Sequence, residues 1–135
     1  MNKKVSTILL VDDDLAINFL HKRIVTKSEI GESVIALYNG VEALKNLEDL
    51  NHSLFENDSV FIFLDLNMPI MDGWEFLDSY KQIHKDLNYQ CKIFVLSSSI
   101  NPDDIQKAKK NSHVSEYFSK PLSTDSIATL KEKYL

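Results

Sequence analysis

Five short apolar runs, each separated from the next by a stretch of helical periodicity, constrain this chain more than any other feature. They are Thr7–Val11 (TILLV), Val34–Leu37 (VIAL), Val60–Leu64 (VFIFL), Ile93–Leu96 (IFVL) and Tyr117–Phe118 within EYFS. The runs are rich in β-branched and aromatic residues and mostly continuous rather than alternating, which reads as strands buried on both faces. Between them, Ile17, Leu20 and Ile24 repeat at helical spacing after a run of acids. Val41, Leu44 and Leu47 follow Asn39-Gly40; Trp74, Leu77 and Tyr80 follow Asp72-Gly73. Ile105 and Ala108 follow Asn101-Pro102, and Ile127, Leu130 and Tyr134 follow Ser123-Thr124, residues suited to starting a helix.

Strict alternation of strand and helix, without repeats or low-complexity tracts, predicts an α/β fold. It is a flavodoxin-like, doubly wound, five-stranded parallel sheet of order 2-1-3-4-5 with five helices. The length of 135 residues fits one domain over positions 1–135 and leaves no room for an output domain. In this topology ligands bind beyond the C-terminal ends of the strands, at the switch point beside strand one. Chemistry is therefore expected after Val11, after Leu64, and around the ends of the runs at Leu96 and Phe118.

Several function classes fall away on composition. A net charge of -5 and a pI near 5.3 argue against nucleic acid or an anionic membrane as partner. No apolar run approaches the roughly 20 residues that span a bilayer, and the N-terminus lacks an apolar signal region, so the expected location is the cytoplasm. Cys91 is the single cysteine, so no internal disulfide forms. Gly31, Gly40 and Gly73 are too far apart to build a glycine-rich phosphate cradle. His21, His52, His84 and His113 lack metal-ligand spacing and read as surface or helix-end residues. Lys107, Lys109 and Lys110 read as a solvated helix face.

The strand ends carry the chemistry. Asp12, Asp13 and Asp14 follow the first run, Asp65 and then Asn67 the third, Ser97, Ser98 and Ser99 the fourth, and Lys120-Pro121 the fifth. Carboxylates gathered on one rim repel one another and demand a cation, and hard oxygen ligands suit Mg²⁺. A carboxylate can also act as a nucleophile toward phosphorus, with a metal, an ammonium and a hydroxyl neutralising the transferring group. Singly, each residue has an ordinary role: Asp14 as an N-cap, Asp65 as a structural cap, Ser-Ser-Ser as a strand terminus, Lys-Pro as a loop. Their convergence on one predicted crevice is what carries weight.

The residues Val11-Asp12-Asp13-Asp14, Leu64-Asp65-Leu66-Asn67-Met68-Pro69, Met71-Asp72-Gly73, Ser97 and Lys120-Pro121 agree in order, spacing and strand context with a known pattern. The chain resembles, over essentially its whole length, the receiver domain of two-component response regulators, of the single-domain, chemotaxis-receiver kind. The resemblance implies Asp65 as phosphoacceptor and Asp13 as direct Mg²⁺ ligand, with Asp12 holding the metal mainly through water. It implies the Asn67 backbone carbonyl and Asp65 itself as further ligands, Ser97 as the switch hydroxyl and Lys120 as the phosphoryl-pairing lysine. Tyr117 would be the aromatic that turns inward, and the bond before Pro121 would be cis. The implied donor is a histidine kinase or histidine phosphotransfer protein, and the output a partner protein, with the chain a monomer or a phosphorylation-dependent dimer. It would be no turnover enzyme.

Two departures from the family pattern stand out. The run Asn111-Ser112-His113-Val114 lacks the usual glycine after the fourth helix, and Asn111 is expected to end that helix in the left-handed conformation. The stretch from Gly40 to Val60 is long, predicting either an extended second helix or a loop rich in Asn, Asp and Ser. Ser98 and Ser99, being small, leave the phosphoryl site open to water, so autodephosphorylation is expected. Two rival readings remain: a small aspartyl-phosphate hydrolase, which would need further acids at a strand end after the lysine where only Asp125 and Glu132 in a helical pattern remain, and a non-phosphorylated pseudo-receiver, which would lack an acid, the hydroxyl or the lysine.

Overall fold

The computed structural model describes residues 4–135. Residues 1–3, the start of the expected 1–135 domain and of the stretch read as lacking a signal region, lie outside the described residues. Five strands, β1 (Val5–Val11), β2 (Gly31–Leu37), β3 (Ser59–Leu64), β4 (Gln90–Ser97) and β5 (Val114–Ser119), alternate with five helices. The helices are α1 (Leu15–Ser28), α2 (Gly40–Leu50), α3 (Gly73–Ile83), α4 (Pro102–Lys110) and α5 (Thr124–Tyr134), with a short 3₁₀ turn at His84–Asp86. All strand pairs are parallel and the order is β2-β1-β3-β4-β5, as expected. Among the described residues no helix is long and apolar enough to cross a membrane.

The pleat sends alternate side chains to opposite faces, which splits the core in two. Ile8, Leu10, Phe61, Phe63, Phe94 and Phe118 meet Val25 of α1 and Ile127 and Leu130 of α5. Leu9, Val11, Val60, Ile62 and Leu64 meet Ala43 and Leu47 of α2 and Phe76, Leu77 and Tyr80 of α3. A smaller cluster of Leu66, Val95 and Ala108 seats α4. The central strands are buried on both faces, but β2 is not: it is an edge strand, and its residues are half-buried or exposed. Sequence continuity in VIAL therefore overstated its burial.

Helix starts follow the sequence. Asp14 caps α1 by accepting from the N–H groups of Ala16 and Ile17 at 3.0 and 3.1 Å. Asn39, Asp72, Asn101 and Ser123 cap the other four, Asp72 in a reciprocal box with Glu75. The end of α4 corrects an expectation. Asn111 is extended (φ −73°, ψ 123°) rather than left-handed, and its side-chain oxygen accepts the His113 N–H at 2.9 Å. That side-chain turn replaces a left-handed cap and makes the missing glycine unnecessary. The long segment after Gly40 is resolved in favour of a loop. The α2 helix stops at Leu50, and turns over residues 51–58 are closed by Asp58, which accepts from Ser6 Oγ and the Phe55 N–H.

The inward face of α1 also differs from the expectation. Asn18, His21 and Val25 are buried, whereas Leu20 is 42% exposed and Ile17 and Ile24 are half-buried. Two polar residues occupy the face because each finds buried backbone partners, as described next.

Candidate functional site

Register brings the strand-end residues together. Val11 pairs with Leu64, and the Asp65 N–H donates to the Val11 carbonyl at 3.0 Å, so Asp12 and Asp65 leave adjacent central strands side by side. Leu64 pairs with Val95, and Ser97 with Ser119, which places Ser97 and Lys120 along the same rim. The Lys120 N–H donates to the Ser97 carbonyl at 3.0 Å. The peptide bond between Lys120 and Pro121 is cis, as the resemblance implied.

Asp12 and Asp65 are buried and Asp13 is exposed, yet each offers a carboxylate oxygen within 4.8 Å of the others. The Lys120 ammonium lies 2.5 Å from Asp12 Oδ2 and 3.2 Å from Asp65 Oδ2. Burial, and then the neighbouring Asp12, push the Asp65 carboxyl above the usual range, against the opposing pull of Lys120 and the Asn67 N–H. For Lys120, burial works against the charge, but Asp12 and Asp65 outweigh it and raise its pKa. One ammonium cannot balance three carboxylates, and the donor set is all hard oxygen with Asp13 open to solvent. Those properties fit a divalent cation of the Mg²⁺ or Mn²⁺ type that retains waters.

Around this pocket, Ser97 is fully buried and its Oγ accepts the Ser99 N–H at 3.1 Å. Ser99 donates its hydroxyl to Asp104, and its carbonyl accepts the Tyr117 hydroxyl at 3.2 Å. Ser97 and Tyr117 are thus joined through one loop residue, a link that no sequence spacing displays. Asn67 is exposed, and its N–H lies 3.4 Å from Asp65 Oδ1. Gly73 opens α3 directly beneath the site: a Cβ there would sit 2.6 Å from the Asp65 carbonyl oxygen and 2.7 Å from Leu66 Cα. Lys107, Lys109 and Lys110 are exposed as expected, and Lys107 also lies over the Trp74 ring, 4.3 Å from its centre.

Sequence reading missed two residues of α1. Asn18 Nδ2 donates to the carbonyls of Leu10, Asp12 and Leu37 at 3.0–3.3 Å, clasping the ends of β1 and β2. His21, assigned to the surface or a helix end, is only 1% exposed, and its Nε2 accepts the Leu122 N–H at 3.1 Å. The available signal was their i, i+3 spacing on α1, but the isoleucines and Leu20 masked it. His84 and His113 form no acidic site either; their rings meet at 4.7 Å beside Tyr80.

Fold and site together define a doubly wound α/β domain built around an acid–lysine pocket at its switch point. The family model for the response regulator receiver domain matches residues 8–131. The response regulator Rcp1 of Synechocystis is 36% identical over 115 residues, 84% of this chain and 75% of that protein. Sporulation initiation phosphotransferase F of Bacillus subtilis is 29% identical over 100% of this chain and 95% of its own length. Among solved structures, a two-component response regulator from Cytophaga hutchinsonii is 32% identical with a TM-score of 0.84, covering 97% of both chains. The Mn(2+)-bound form of Rcp1 is 30% identical with a TM-score of 0.68, covering 94% of this chain and 90% of that one. The chain belongs to the response regulator receiver domain family and is a signalling domain of two-component systems.

Proposed function

We propose that this domain receives a phosphoryl group on Asp65 from the phosphohistidine of a histidine kinase or histidine phosphotransfer protein. The observation that carries the reading is the Lys120 ammonium set between Asp12 and Asp65, with Asp13 completing the acidic cluster. Mg²⁺ fits the carboxylates of Asp12, Asp13 and Asp65 with the Asn67 backbone carbonyl, and when bound it would neutralise charge on the phosphoryl oxygens.

A carboxylate oxygen of Asp65 attacks phosphorus in line, the nitrogen–phosphorus bond breaks, and the imidazole departs. Lys120 pairs with the transferred oxygens. Ser97 exchanges its bond to the Ser99 N–H for one to the phosphoryl group. The shared contact at Ser99 passes that change to Tyr117 and so to the face of α4, β5 and α5. The added charge favours one of two packings. Water later attacks the phosphorus and releases Asp65, so the chain is a timed switch and not a turnover enzyme. Exposed Leu15 and Phe19 on α1, close in sequence to the acids, suit docking of the donor. The domain would act in the cytoplasm as one unit over 1–135, monomeric or dimerising on phosphorylation, and would signal to a protein partner.

Neither rival is favoured, because no acid, hydroxyl or lysine of the set is missing and no further acid joins the cluster among the described residues. Incubation with acetyl phosphate and Mg²⁺ should add one phosphoryl mass to the wild type and none to Asp65→Asn. Labelling of that variant would move the acceptor elsewhere.

A further inference from the structure

His21 is a buried polar side chain that the acid–lysine chemistry does not itself use. An imidazole out of water needs partners for its nitrogens, and here Nε2 accepts from the main chain of a residue 101 positions away, the Leu122 N–H. An Nε2 that accepts is unprotonated, so the ring is neutral with its proton on Nδ1. Burial, assisted by the charge of Lys120, lowers the His21 pKa against the opposing influence of Asp12 and so favours the same neutral form.

The donor matters because of where it lies. Leu122 is 2% exposed, packed in the core between the sheet, α1 and α5, so water cannot replace His21 as its partner. Pro121 has no N–H to offer. The segment that carries the lysine is therefore held on one side by the Lys120 N–H on Ser97 and on the other by the Leu122 N–H on His21. One turn earlier on α1, Asn18 grips the carbonyl of Asp12. A single helix thus fixes both the backbone of Asp12 and the backbone just past Lys120.

We propose that His21 is a positioning residue of this site, acting through Leu122 to hold the Lys120 ammonium at Asp12 and Asp65. The inference rests on the reading of Asp65 as phosphoacceptor.

The test uses the full chain, acetyl phosphate as donor and saturating Mg²⁺, with the initial labelling rate as readout. His21→Leu, which fills space but offers no acceptor, should slow labelling about tenfold or more, since small misplacements of a catalytic group are costly. Its Mg²⁺ affinity, followed by Trp74 fluorescence or calorimetry, should stay within about twofold, because the carboxylates keep their own supports. His21→Gln places an amide oxygen near the Nε2 position and should restore the rate to within about threefold of wild type. In a Lys120→Ala background, His21→Leu should cause little further loss; a merely structural role would slow both backgrounds alike. Unimpaired labelling of His21→Leu, or equal losses in the two backgrounds, would overturn the proposal. If His21→Leu does not fold, the folded His21→Gln variant decides: a retained rate supports the acceptor role and a lost one overturns it. A wild type that does not label at Asp65 refutes the underlying reading instead, a result that no His21 variant can imitate.

Discussion

Ile70 holds a backbone conformation that its side chain resists. Its φ is 70°, it is β-branched, and the Met71 N–H closes a tight turn on the Pro69 carbonyl at 2.8 Å. The left-handed region costs an ordinary residue about 1–2 kcal/mol, and Ile70 is 80% exposed, so little burial offsets it. Glycine loses more entropy on folding, about 0.4–1 kcal/mol. Ile70→Gly should therefore stabilise the domain by about 1 kcal/mol, read as a rise of roughly 3–6 °C in Tm; an unchanged melt would show the turn to be unstrained. Asp65 gives a pH signature with the opposite logic. Its folded pKa lies above the ordinary value of 3.8, so between those values the folded state holds the proton better than the unfolded chain. Stability from this group falls as pH rises through that window and stays lowered above it. Lys120 contributes the reverse: its raised pKa adds stability that is present below 10.5 and lost only in strong alkali. Urea melts without divalent cation should find Asp65→Asn more stable than wild type at pH 7, with the gap closing toward pH 3.5. A gap that widens in acid would contradict the raised carboxyl.

At the level of elements, the strands and caps were legible because their signals are local: β-branched runs, Asp and Asn before helices, Pro102 at a first turn. The inward face of α1 was not. Its burial depends on carbonyls at Leu10, Asp12 and Leu37 and on an N–H at Leu122, partners that sequence distance hides. The same holds for the end of α4, where the choice between a left-handed cap and a side-chain turn at Asn111 turned on local geometry. The acids and Lys120 were readable because topology rules send strand ends to one crevice, whereas the Ser97–Ser99–Tyr117 linkage depends on the path of the loop after β4. The start of α3 approaches the end of β3 closely. Gly73 is buried with backbone atoms of Asp65 and Leu66 where a methyl would stand, and backbone cannot swing aside as a side chain can. Gly73→Ala should cost about 1–3 kcal/mol, a typical overpacking penalty. It should also slow labelling of Asp65, since the displaced atom is that residue's own carbonyl oxygen. Gly31→Ala, whose close contacts are with the Ile8 side chain while the nearest backbone atom stands at an ordinary 3.6 Å, should cost less in the same melts.

Across the whole molecule, the two faces of the sheet meet different helices, and the α1–α5 side is knitted by aromatic rings. Phe94 is fully buried, with ring centres at 5.0 Å to Phe61, 5.4 Å to Phe63, 5.1 Å to Tyr134 and 6.2 Å to Phe118. Phe94→Ala should cost about 3–5 kcal/mol, a large share of the 5–15 kcal/mol that holds a domain together. Equilibrium urea unfolding checks this, and a loss near 1 kcal/mol would mean the cavity collapses. Tyr134 adds a polar tie, its hydroxyl reaching the Ser115 carbonyl and Glu116 where the β4–β5 register slips by a residue. Asp12 and Asp65 follow β1 and β3, inside the sheet, but the lysine that meets them follows β5 at one edge. On a translating ribosome the acids emerge first and their counter-charge long after. A half-made chain therefore presents acids that no ammonium yet steadies, and competence to receive a signal arrives only when the sheet is closed at its far edge.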